Sequence, residues 1–272
     1  MNLLISNIYK RMIKAIEWRM RKFNKKYIFS LHEFFVSFFF GKIKNDYTCF
    51  KIDTKDVDQI FAVVKKSNKI NFSNYLNINK DISKNIFLKK SWNYNKKDKN
   101  VYDQFSKTQN WYDLNMTPYL ESFINKLLPT FKEYLGSNFS IVNLRAWKNL
   151  PNSGIVVGKN KNDGSIQMRG THRLHTDGFP PGHIKCMIYL QPLNSEFGLF
   201  EIGGKKIECN EPGYCIIFKN SDILHRAIPG TKYDRYVIEF TFLRTLFQVN
   251  ELKYIKSKPD SMYLSAPYFA YF

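Results

Sequence analysis

The sequence predicts a mainly β protein, a sandwich or barrel with helices ahead of it, and three observations carry that expectation. After Gly136 the chain breaks into short apolar, β-branched and aromatic runs separated by Gly, Pro, Asn and Asp, the texture of many short strands joined by turns. Ahead of Gly136 the apolar residues recur instead at spacings of three and four, the helical period. A content of 44% hydrophobic and 17% aromatic residues over 272 positions is that of a chain able to bury a core.

The elements follow in order. Leu4, Ile5, Ile8, Tyr9, Met12, Ile13, Ile16, Met20, Phe23 and Tyr27 lie one, three and four apart with Lys and Arg between them, which predicts a basic amphipathic helix over 3–27. Such a helix either packs its stripe on the domain or meets a membrane surface or partner. The opening residues show no cleavable leader pattern. The run YIFSLHEFFVSFFF, Tyr27 to Phe40, contains His32 and Glu33 and is too short and too polar to span a bilayer. A helix is predicted from Lys55 to Lys66, with Asp53 or Thr54 as cap. Residues 68–110 read as irregular. A further helix begins at Thr117 with Pro118 in its first turn and stops by Gly136, with a kink expected at Pro129. Strands are predicted at Ser140–Lys148, Ile166–Arg169, His172–His175, Ile184–Leu190, Leu199–Ile202, Lys206–Cys209, Tyr214–Lys219, Ile223–Arg226 and Arg235–Leu243. The chain thus divides into a basic helical extension (1–45), a helical and irregular support region (46–138), a β core (139–250) and an aromatic tail (251–272).

Lys and Arg total 42 against 23 acids, a formal charge of +19. The charge is diffuse, and no basic cluster interleaves with a nucleic-acid motif, so a specific nucleic-acid partner is not expected. An anionic small molecule or a membrane surface suits the balance better. Cys49, Cys186, Cys209 and Cys215 form no CxxC pair, which argues against a disulfide framework or a thiolate zinc site. Reduced thiols suit a cytoplasmic protein, with peripheral membrane contact through residues 1–45 as the added expectation.

The chemistry concentrates in LHTDGF, residues 174–179. Side chains two apart on a strand share a face, so His175 and Asp177 can present an imidazole and a carboxylate to one metal ion. By itself an H-x-D tripeptide is most often a surface turn. Among the five histidines, His225 in ILHRAIPG is the best third ligand; the three together make a 2-His-1-carboxylate set, which covers one face of an octahedral Fe(II) and leaves three positions open. Ten residues after His225, beyond the turn IPGTKYD, Arg235 opens the strand RYVIEFTF. An antiparallel return would aim it into the same cavity, where a guanidinium grips a carboxylate. His172 and His183 are not expected to be ligands, and Arg145, on a strand with Trp147, is expected to be solvated.

The segment LHTDGF...KCMIYLQPL...EPGYCIIFKNSDILHRAIPGTKYDRYVIEFTF resembles the Fe(II)- and 2-oxoglutarate-dependent oxygenase superfamily, in its phytanoyl-CoA-hydroxylase-like and prolyl-hydroxylase-like branches. The resemblance covers roughly residues 139–248. It implies a double-stranded β-helix (a cupin-like jelly roll), His175, Asp177 and His225 as iron ligands, and Arg235 as partner of the distal carboxylate of 2-oxoglutarate. It also sets Tyr189 on that carboxylate, and Lys185, which alternates with Met187 and Tyr189 onto one strand face, is expected to line the pocket as well, facing cosubstrate or substrate. Val237 stands where many members carry serine, and EIGGKKIECNEPGY replaces their Gly-Ser-His segment. An aspartate at 177 disfavours the halogenase variant, and the nine-residue separation of Arg235 from Arg244 disfavours the DNA-repair demethylases.

The function so implied is a dioxygenase using Fe(II), 2-oxoglutarate and O2, with ascorbate as reductant, that hydroxylates a small or surface-associated, anionic metabolite. The alternatives are a protein side-chain hydroxylase of the same superfamily, and a basic membrane- or partner-binding protein with a degenerate β-helix.

Overall fold

The computed structural model describes residues 25–69, 109–114, 116–153, 156–159, 166–168, 172, 174–177, 182–248 and 250–252. Most of the helix expected over 3–27, and nearly all of the aromatic tail, lie outside the described residues. Three helices are described, α1 (Lys25–Phe40), α2 (Thr54–Lys66) and α3 (Pro118–Leu135). The strands are β1 (Tyr47–Lys51), β2 (Asn68–Lys69), β3 (Gln109–Asp113), β4 (Asn138–Asn149), β5 (Val156–Lys159), β6 (Ile166–Met168), β7 (His183–Tyr189), β8 (Gly198–Ile202), β9 (Lys205–Ile207), β10 (Tyr214–Phe218), β11 (His225–Pro229) and β12 (Arg235–Thr245).

Seven strands form one antiparallel sheet in the order β1-β10-β7-β12-β4-β3-β2, and β11-β8-β9 form a smaller one. A lone backbone bridge at His175 adds the chain to the free side of β11. After β4 the chain therefore passes back and forth between large and small sheets, through His175, β7, β8–β9, β10, β11 and β12. That winding is the double-stranded β-helix, a jelly roll.

Strand alternation gives the large sheet two apolar faces. Ile184, Cys186, Ile188, Ile238, Phe240 and Phe242 join Ile60, Val64, Phe123, Ile124 and Phe131 of α2 and α3 in the larger core. The opposite face supplies Met187, Tyr189, Trp147, Val237 and Phe218, which meet Phe200 and Ile202 of the small sheet. The second layer is the interior of the roll, and the chemistry lies there.

Helix α3 starts as its sequence requires, with Thr117 accepting from the Leu120 amide at 3.2 Å and Pro118 in the first turn, and ends at Gly136 in the left-handed region (φ 61). It continues through Pro129, because Leu127, Phe131 and Leu135 all stay buried on either side of the proline. Strands β1, β2 and β3 of the region 46–138 extend the large sheet, and residues 70–108 of the stretch expected to be irregular lie outside the described residues. The predicted strand at 172–175 is reduced to the His175 bridge, and His172 sits in a short helical turn. Strand β11 starts two residues later than predicted, because the Asp222 and Ile223 amides both turn back to the Lys219 carbonyl at 3.1 Å. All four cysteines are free.

Helix α1 packs the wrong way round for an amphipathic helix. His32 and Val36 are buried, while Leu31, Phe34, Phe35, Phe38, Phe39 and Phe40 are exposed. A polar latch holds it: the buried Arg244 of β12 donates to Glu33 Oε1 (2.6 Å), the Gly41 carbonyl (2.6 Å) and Ser137 Oγ (3.0 Å). Gly182 lets the helix approach, as its φ is +85 and a Cβ there would come within 2.8 Å of Glu33 Oε2. Breaking such a buried pair by removing one partner costs about 3 kcal/mol. Arg244→Met is therefore expected to lower the thermal midpoint by several degrees and to make the chain around Gly41 susceptible to limited proteolysis.

Candidate active site

Two histidines are brought face to face by the backbone. The His175 amide donates to the His225 carbonyl at 3.0 Å, and the His225 amide returns the bond at 2.8 Å. Residues paired in this way on antiparallel strands point their side chains to the same side, and the imidazole centroids lie 4.7 Å apart. Two residues on, the Asp177 amide donates to the Asn220 carbonyl at 2.8 Å, and its carboxylate returns to the histidines. His175 Nε2 is 3.5 Å from Asp177 Oδ1, and His225 Nε2 is 3.8 Å from Asp177 Oδ2. One ligating atom from each of His175, Asp177 and His225 lies within 4.8 Å of the others, a spacing one metal ion can bridge.

The surroundings prepare these groups as ligands. His225 Nδ1 sits 2.9 Å from the Ile223 carbonyl, so the proton belongs on Nδ1 and the Nε2 lone pair is free for a metal. Burial pushes the imidazole pKa down to about 4 against the pull of Asp177, and Phe200 and Phe218 wall its ring at centroid distances of 5.9 and 4.8 Å. The ring is neutral at pH 7. Burial works against charge on Asp177, but the Lys185 ammonium and the neighbouring imidazoles outweigh it and hold the carboxyl well below the usual range.

Lys185, facing inward on β7 as its alternation with Met187 and Tyr189 implies, forms an ion pair with Asp177 and a second with Glu239 Oε2 at 3.2 Å. Glu239 in turn pairs with Arg145 Nη2 at 2.6 Å. A row of alternating charges, Arg145, Glu239, Lys185 and Asp177, thus runs through the interior. The expectation of a solvated Arg145 is corrected: its side chain is 12% exposed and that of Glu239 1%. The inward face of β4 points into the roll, where a carboxylate waits. Glu239 was missed, although it stands four residues after Arg235 on the same face of β12.

Arg235 lies at the far end of this interior. It is 1% exposed; Nη1 donates to the Leu199 carbonyl at 2.8 Å, whereas Nε and Nη2 are buried with no protein partner. Leu199 pairs with Ile228, three residues along β11 from His225. Gly198 makes room, since a Cβ there would fall 2.6 Å from the Ile228 carbonyl and 3.0 Å from Arg235 Nη1. Tyr189, fully buried, stacks its ring 5.4 Å from the guanidinium carbon, and its hydroxyl contacts Met187 Sδ at 3.7 Å. His172, also buried, bonds through Nδ1 to the Ala227 carbonyl (2.9 Å) and leaves Nε2 without a partner. Burial first, and the Arg235 charge after it, push that imidazole's pKa down against the Ala227 bond. His172 lies outside the three-residue cluster and belongs near Arg235, which its sequence position alone did not indicate.

Unpaired buried donors on a guanidinium are costly unless an acceptor fills the space between them. The donor set thus fits a carboxylate at Arg235, and the three-residue cluster fits a divalent ion such as Fe(II). No protein-family model matches the sequence, and no curated protein matches it. Among solved structures, the chain is similar to HygX from Streptomyces hygroscopicus with nickel, 2-oxoglutarate and hygromycin B bound (11% identity, 75% of this chain and 84% of that one, TM-score 0.45). It is similar also to a 2OG-Fe(II) oxygenase family oxidoreductase from Burkholderia pseudomallei (12%, 78% and 89%, TM-score 0.46). A third is the viral collagen prolyl hydroxylase of Paramecium bursaria Chlorella virus-1 in its 2-oxoglutarate complex (9%, 74% and 97%, TM-score 0.41).

Proposed function

We propose that the protein is an Fe(II)- and 2-oxoglutarate-dependent oxygenase, with His175, Asp177 and His225 holding the iron and Arg235 holding the distal carboxylate of 2-oxoglutarate. The observation that carries the reading is the pairing of a three-ligand cluster with a buried guanidinium that has two unpartnered donors in the same interior. Bound iron supplies the oxidative chemistry, converting 2-oxoglutarate and O2 to succinate and CO2 as one C–H bond of the substrate becomes C–OH.

The protein's own groups bind, orient and exclude. Arg235 anchors one end of the dianion by charge-assisted hydrogen bonds, Tyr189 and His172 close the pocket around that end, and Phe200 and Phe218 keep water from the His225 side of the metal cluster. Lys185 holds the Asp177 carboxylate in place, so its role is to support a ligand. Fixing the cosubstrate in one pose is the larger part of what a scaffold contributes to such a reaction. The substrate class proposed is a small or surface-associated metabolite, anionic in keeping with the basic chain; a protein side-chain hydroxylase shares all these residues.

Purified protein given Fe(II), ascorbate, O2 and 2-oxoglutarate is expected to release succinate even without substrate. Arg235→Met is expected to raise the KM for 2-oxoglutarate about 100-fold, the value of a buried charge-assisted contact, while leaving Fe(II) affinity within a few-fold of wild type. No succinate from wild type, or an unchanged KM in the variant, would overturn the reading.

A further inference from the structure

We infer that the exposed face of α1 docks on an anionic phospholipid bilayer and lies flat on it. The orientation of the helix is the main observation. Phe34, Phe38 and Phe39 are 62, 73 and 68% exposed, and Leu31 is 55% exposed, while His32 and Val36 face the protein at 3 and 0%. A helix held only for its apolar stripe would turn those rings inward. Here Glu33 and Arg244 fix the rotation from the polar side, so the rings face out by construction. They pair among themselves, Phe34 with Phe35 and Phe38 with Phe39, at centroid distances of 5.6 and 5.3 Å. A contiguous aromatic surface of this kind on one helix marks an interaction site.

Charge selects the occupant. Exposed Lys42 and Lys44 follow the helix directly, and the first 44 residues carry ten Lys or Arg against Glu17 and Glu33 alone. Aromatic rings beside basic residues are the combination that enters the headgroup region of an anionic bilayer. No helix among the described residues is long and apolar enough to cross a membrane, which suits a helix lying on the surface. The latch residue Arg244 lies one residue before the end of β12, and Gly182, where a Cβ would meet Glu33, immediately precedes β7. Lys185, the partner of Asp177, is three residues on. The docked face therefore lies at the metal-cluster end of the roll, the end opposite Arg235.

The test uses the full chain and needs no turnover. Wild type is expected to co-sediment with phosphatidylcholine vesicles containing phosphatidylglycerol, and far less with phosphatidylcholine alone. Phe34→Ser/Phe38→Ser/Phe39→Ser should bind at least roughly 100-fold more weakly, and Lys42→Glu/Lys44→Glu roughly 10-fold more weakly. Thermal unfolding checks that each variant is folded; should the triple variant not fold, the charge-reversed one decides. A triple variant that binds like wild type, a charge-reversed variant that binds like wild type, or a wild type that stays in the supernatant overturns the inference. So does a wild-type dimer that ignores vesicles and dissociates in the triple variant, since a second copy then covers the stripe.

Discussion

Asp177→Ala is expected to lose tight Fe(II) binding and, with it, at least about 1000-fold of 2-oxoglutarate-dependent succinate release, because it removes the anionic ligand of a three-residue site. Calorimetric titration with Fe(II) under anaerobic conditions and succinate quantification read the two losses separately. The two histidines remain bridged through their backbones in the variant, since neither bond involves the aspartate side chain. Losing the Asp177 pair with Lys185 should lower stability, so the Fe(II) titration is run where thermal unfolding shows the variant folded, and the loss there is one of ligation. Succinate release at the wild-type rate would show that the cluster is not the metal site.

The second large effect falls on stability. Glu239 is 1% exposed and joins Lys185 at 3.2 Å to Arg145 at 2.6 Å. Glu239→Leu removes the anion that both cations use, and deleting one member of a buried charge network costs about 3–5 kcal/mol. The urea midpoint should fall accordingly. Arg145→Leu/Glu239→Leu should lose clearly less than the sum of the two single losses, because the pair acts as a unit. An additive double variant, or a single variant as stable as wild type, would mean that the charges are better solvated than their burial indicates.

Much of the site was legible because strands alternate. That period put Lys185 and Tyr189 inward, whereas His175 and Asp177 are held together by a lone bridge and the Asp177–Asn220 backbone bond and not by a full strand. Glu239 obeys that rule equally, four residues beyond Arg235, yet a charge within a strand reads as a solvent-facing position until its partner is known, and Arg145 is ninety-four residues away in sequence. For the same reason Arg145 was expected in water. His172 escaped because its place beside Arg235 is set by a bond to Ala227, a contact between distant parts of the chain. In the fold, β4, β7, β10 and β12 announce themselves by apolar runs. Strands β1 (YTCFK) and β3 (QNWYD) do not, because polar residues interrupt them and their order comes from pairing with β10 and β4. Periodicity also reveals that a helix such as α1 has an apolar stripe without revealing which side faces the protein; the Arg244 latch, more than two hundred residues later, decides that.

The alternation of Arg145, Glu239, Lys185 and Asp177 has one more consequence. Two positive and two negative groups cancel, so this row carries no surplus charge of its own, and the Arg235 guanidinium outside it calls for an anion instead of a metal. Under the proposed function, the chain therefore needs no iron to balance these four charges as it folds.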